Sequence, residues 1–109
     1  MKTKTTSKKT AKRPYVIVRC YGAGVHAGEL IATIDLKSGV KVVLSHARRI
    51  WHWEGAASLS ELAVYGSSKP DGCRIAVELQ RADLLDAKEI DYCQPDGEKF
   101  LREATPWRA

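Results

Sequence analysis

The sequence predicts an α+β domain: a small, mostly antiparallel, bent sheet or partial barrel of five to six strands, with one short capped helix after the fourth strand and a short C-terminal helix. Three observations lead there. Short runs rich in β-branched and aromatic residues are punctuated by glycines and by two Pro-Asp-Gly turns, at Pro70 and Pro95. A capping-box spacing stands at Ser58–Glu61, immediately before an apolar stripe at helical spacing. The folded part is too short to bury more than one modest core.

In chain order, Tyr15-Val-Ile-Val-Arg-Cys-Tyr21 reads as a strand that Gly22-Ala-Gly24 breaks. Val25 to Leu36 is extended and leads to Lys37-Ser38-Gly39, where glycine can take the positive φ of a tight turn, and Val40 to Leu44 returns as the second arm of a hairpin. Ala47 to Trp53 alternates as a strand would, with Arg49, Trp51 and Trp53 on one side and Arg48, Ile50 and His52 on the other. Ser58 then caps a helix of about two turns, with Leu59, Leu62 and Ala63 on its apolar stripe and Gly66 closing it. Cys73 to Leu79 and Ile90 to Cys93 read as two further strands. Glu98 to Ala104 forms a last short helix that groups Phe100, Leu101 and Ala104.

Charge divides the chain. Residues 1–13 hold six basic side chains and no acid, leaving twelve Lys and Arg against thirteen Asp and Glu in residues 14–109. The formal charge of +5 is therefore a cationic leader on a near-neutral body, so the body is not a domain whose whole surface is tuned to phosphate backbones. The expected organisation is a disordered basic leader, 1–13, and a single α+β domain, 14–109. No apolar run reaches the roughly 20 residues of a membrane helix, and no secretory signal stands at the start. Cys20, Cys73 and Cys93 form an odd set without Cys-x-x-Cys spacing, expected to be free and mostly buried thiols. A cytoplasmic protein that gains stability by self-association fits this profile.

Few features can carry chemistry. Gly22-Ala-Gly24-Val-His26-Ala-Gly28 lacks the spacing of a dinucleotide fingerprint, and no amphipathic helix follows it; it remains either a glycine-lined approach for an anion or a plain turn. In Arg48-Arg49-Ile50-Trp51-His52-Trp53 two guanidiniums offer bidentate donors for phosphate, and the indoles offer stacking faces for a base. The structural alternative is that the tryptophans belong to the core and the arginines pair or stack locally. His26, His46 and His52 match no compact metal motif, and neither metal nor cofactor is expected. Hydrolase and zinc-protease signatures are absent, so no catalytic residue is assigned.

Tyr15-Val-Ile-Val-Arg19, Ala23-Gly-Val-His-Ala-Gly28, Val43-Leu44, Ala47-Arg-Arg-Ile-Trp-His-Trp-Glu-Gly-Ala-Ala57, Leu59 and Leu62-Ala63 together resemble a small family of uncharacterised proteins found mainly in bacteriophages and prophages. The resemblance is closest from Tyr15 to Gly66, looser to Cys93 and absent from the leader. It implies a genomic setting rather than a reaction: an accessory protein in the cytoplasm of the infected or lysogenic bacterium. In size and setting the chain is also similar to phage nucleotide sponges, which sequester an immune second messenger from host defence.

The first expectation is therefore a non-catalytic, homo-oligomeric binder of a small phosphorylated nucleotide. Arg48 and Arg49 would clamp phosphate, Trp51, Trp53 or Tyr21 would serve as base platform, and His26 and Gly24 would line the site. Two alternatives stand beside it. One is a protein-interaction or virion-associated module anchored by the same arginines and tryptophans; the other is a nucleic-acid binder using Lys8, Lys9, Lys12 and Arg13 as its arm.

Overall fold

The structure, a computed structural model, describes residues 12–109; Lys8 and Lys9 of the expected arm, and most of the leader, lie outside the described residues. Six strands form one sheet: β1 (Tyr15–Cys20), β2 (Gly24–Leu36), β3 (Gly39–His52), β4 (Arg74–Ile75), β5 (Leu79–Leu84) and β6 (Ala87–Tyr92). The order is β4-β3-β2-β1-β6, with β5 also pairing β3, and the pairings are antiparallel. Strands β4 and β5 share one edge of β3: β5 runs beside Val42–Ala47, and β4 beside Ile50–His52. Two helices complete the fold, α1 (Leu59–Tyr65) and α2 (Pro95–Glu103).

Connectivity bends this sheet. Strand β5 lies beyond β3 and β6 lies beyond β1, yet only Leu85 and Asp86 join them, a link that spans at most about 11 Å. The sheet must curl until those edges approach, which makes it the bent sheet expected. Val16, Val18, Cys20, Val42, Leu44, Ala47 and Leu84 pack together in one cluster. Tyr15, Ile17, Ala27, Ile50 and Ile75 pack instead with Leu62 and Ala63 of α1 and Leu101 of α2. Strand β1 supplies both clusters, which is why Tyr15-Val-Ile-Val reads as an unbroken apolar run.

The helix cap forms as expected in its first half: Ser58 Oγ accepts the Glu61 N–H at 3.1 Å. The return bond goes one residue further back, from the Ala57 N–H to Glu61 Oε1 at 2.8 Å. Gly66 closes α1 at φ 78°, its N–H donating to the Leu62 carbonyl.

Three expectations need correction. The runs 40–44 and 47–53 belong to one strand rather than two: His46, at a φ of 50°, sits in a bulge where the register with β2 shifts between Ala27 and Glu29, and pairing resumes on both sides of it. Helix α1 consequently follows the third strand, not the fourth. The run Cys73–Leu79 is split, since β4 ends at Ile75 and β5 continues through Gln80-Arg81-Ala82-Asp83-Leu84. Finally, α2 begins at Pro95 rather than Glu98: proline occupies the first turn, where its missing N–H has no partner to lose. Gly97 lies so close to the Ala63 carbonyl of α1 that a side chain there would separate the helices. Cys20, Cys73 and Cys93 are all free, the first buried and the others half-buried.

Candidate functional site

The second half of β3 carries the arginines and tryptophans, and its alternation sends neighbours to opposite faces. Arg48 points inward with Ile50 and is only 3% exposed. Its Nε donates to the Ala76 carbonyl at 2.8 Å, Nη1 to Leu101 at 2.7 Å and Nη2 to Ile75 at 3.4 Å. The guanidinium thus ties β3 to the end of β4 and to the C-terminal turn of α2, where carbonyls lack helical partners and the helix dipole favours a cation. This corrects the expected phosphate clamp: a guanidinium sealed among its own carbonyls has no donor face for a ligand. Burial pulls its pKa down, against the Tyr15 and Glu78 side chains that raise it.

Arg49 takes the outer face. Its guanidinium lies flat on Trp51, with Cζ 3.6 Å from the ring centroid. On its other side is Gly24, at φ +86°, where a Cβ would come within 2.8 Å of Arg49 Nη2. The glycine is thus needed twice, for its backbone angle and for the space the guanidinium occupies. Arg49 Nε is buried without a hydrogen-bond partner. His26 is its cross-strand neighbour and bonds the Ala23 carbonyl at 3.0 Å. Burial lowers the His26 pKa, Arg49 lowers it further, and the Ala23 bond opposes both, so the environment favours the uncharged ring.

Trp51 is 53% exposed and meets Trp107, 47% exposed, with centroids 6.4 Å apart and planes tilted by 60°. Trp107 is held by its own N–H, which donates to the Ile75 carbonyl at 2.8 Å. The Arg74 guanidinium sits 5.5 Å from the Trp107 centroid. Arg49, Trp51, Trp107 and Arg74 therefore form one surface ladder, a pair of indoles with a cation at each end. Beside it opens a hollow of about 440 Å³ lined by Trp51, His52, Glu54, Asp71, Gly72 and Arg74. In its wall His52 Nε2 lies 3.3 Å from Glu54 Oε2, and the Glu54 carboxylate rests on Gly72, where a Cβ would fall 2.7 Å from Oε1.

The structure brings together Arg49, Trp51, His26 and Gly24 of the expected set. Trp53 does not join them, because β3 ends at His52 and the indole packs half-buried against the helix-side cluster. Tyr21 is 78% exposed in the turn after β1, and the aromatic pair among the described residues is Trp51 with Trp107, not Tyr21. Lys12 reaches Glu98 of α2 at 3.8 Å, and Arg13 is exposed. Sequence reasoning assigned Trp107, Arg74 and Glu54 to no site. The available signal was a lone tryptophan after Pro106 near the C-terminal end, but nothing local says that it folds back onto Ile75.

Among the described residues no group of His, Cys, Asp or Glu is placed to hold a metal ion. His46 bonds Glu78 at 2.9 Å and the other two histidines are engaged as above, each in its own place. Burial, then Glu98 and Asp91, push the Cys93 thiol up to about 12, and burial raises Cys20 as well, so neither is a ready nucleophile. No helix among the described residues is long and apolar enough to cross a membrane. The arrangement can stack, pair with anions and accept hydrogen bonds. A family model described as a domain of unknown function, DUF6948, matches residues 13–101. No curated protein and no solved structure matches the chain.

Proposed function

The chain belongs to the DUF6948 family, a domain of unknown function, and from that premise and the geometry of its outer face we propose that it binds a small phosphorylated nucleotide without transforming it. The observation that carries this reading is the pair of half-exposed indoles, Trp51 and Trp107, 6.4 Å apart beside a hollow of about 440 Å³. A base stacked on an indole gains about 1–3 kcal/mol, and the hollow falls within the roughly 300–1,000 Å³ of small-molecule sites. Arg49 backs Trp51 and fixes its plane, and Arg74 at the rim offers a fork of donors to phosphate.

In the phage or prophage setting that the sequence resembles, such a protein acts in the bacterial cytoplasm by sequestration, holding an immune second messenger away from its effector. A homo-oligomer would wall the hollow further from solvent. Native mass spectrometry of protein purified from cells tests this. The expected spectrum shows a nucleotide mass that leaves unaltered on denaturation and is missing from Trp51→Ala. A chemically changed nucleotide, or a copurified protein in place of any small molecule, would overturn it. The interaction-module reading draws on Ile31, Ile34 and Leu36, exposed along the outer half of β2, and a copurified protein would favour it.

A further inference from the structure

We infer that the bound nucleotide carries guanine, read by the carboxylate of Glu54; this rests on the nucleotide reading above. A base stacked on Trp51 turns one edge toward the wall of the hollow, and that wall carries two kinds of group. Glu54 and Asp71 bring carboxylates, which accept hydrogen bonds and, when ionised, donate none; Arg74 brings a guanidinium, which only donates. Glu54 is the better placed reader. It follows Trp51 by three residues at the end of β3, its Oε2 is steadied by His52 at 3.3 Å, and its carboxylate lies on the bare Cα of Gly72.

The chemistry of the four bases then separates them. Guanine presents N1–H and the N2 amino group side by side, two donors that match the two oxygens of one carboxylate. Adenine offers N1, and cytosine N3, as a lone pair beside the amino group, so one carboxylate oxygen meets a like-signed partner. Uracil flanks its single N–H with two carbonyls. The same carboxylates repel phosphate, which leaves the Arg74 side of the hollow as the place for the anionic end. The ladder supplies affinity for any base, and Glu54 supplies the choice among them.

Calorimetric titration of the full chain with GMP, IMP, AMP, CMP and UMP tests this. GMP is expected to bind tightest, roughly ten- to hundredfold above AMP, CMP and UMP, the range a bidentate base contact gives. IMP, which lacks the 2-amino group, should fall between. Glu54→Gln, an isosteric change at a half-exposed side chain, should level the series by weakening GMP most and IMP less, while its amide, a donor beside an acceptor, no longer disfavours AMP and CMP. Equal affinity for all five would overturn the guanine assignment while leaving the nucleotide reading in place. Undiminished GMP preference in Glu54→Gln would overturn the role given to Glu54. If none of the five binds, the nucleotide reading falls with the inference.

Discussion

Replacing Arg48 by alanine is expected to cost folding stability rather than ligand affinity alone. In the native chain its two short bonds, 2.8 and 2.7 Å, satisfy the Ala76 and Leu101 carbonyls in a site where the side chain is only 3% exposed. Each buried acceptor left without a donor costs about 1–3 kcal/mol, and part of this is returned because a cation no longer has to be desolvated. A net loss of about 3–4 kcal/mol follows, a large share of the roughly 5–15 kcal/mol that holds a typical domain. Arg48→Lys should lose about 2 kcal/mol, because one ammonium cannot span carbonyls from two elements at once. Urea denaturation followed by circular dichroism measures both. If Arg48→Ala kept stability within about 1 kcal/mol and lost nucleotide binding instead, the guanidinium would be a ligand contact and its placement here would be wrong.

Two further perturbations separate local causes. Gly24→Ala should cost about 1–2 kcal/mol and displace Arg49 from Trp51, seen as a change in tryptophan emission, whereas Gly22→Ala, at a similar φ but with open space around it, should cost only the backbone strain and leave the emission unchanged. Indistinguishable effects at the two glycines would refute the packing argument. Burial, then the neighbouring Glu89 carboxylate, push Asp91 up to about 6 against the opposing pull of Arg19, so the native chain keeps a proton that the unfolded chain releases near 3.8. The stability from that proton is fully present below about pH 4 and is lost as pH rises through about 6. Asp91→Asn, neutral throughout, should flatten that fall, and parallel stability-versus-pH curves for variant and wild type would contradict it.

Much of the fold was legible because its signals are local. The Ser58–Glu61 cap, the glycine-terminated hairpin and the two-face apolar run of β1 each follow from a few neighbouring residues. What was misread depended on long-range pairing. His46 looks like a break between two strands, yet β2 and β5 hold both sides of it in one ladder. Strand β5 is half polar, with Arg81 and Asp83 paired to each other at 2.8 Å, so its alternation of Ala82 and Leu84 toward the core is easy to pass over. The site shows the same division. Alternation correctly put Arg49 and Trp51 on one face and Arg48 on the other, but sequence cannot say which face is covered, and α2, the element that covers Arg48, lies about fifty residues away. Trp107 is tied beside the ladder by a backbone bond to Ile75, a contact no periodicity encodes.

The proposed site requires Trp51 and Trp107 to meet the ligand while Trp53 does not. The three tryptophans give three indole N–H signals in a two-dimensional ¹H–¹⁵N spectrum, and titration with GMP reads each separately. The expected result is a saturable shift of the Trp51 and Trp107 signals with Trp53 unmoved. Indole signals that all stay in place at millimolar GMP and AMP, or a shift confined to Trp53, would contradict it.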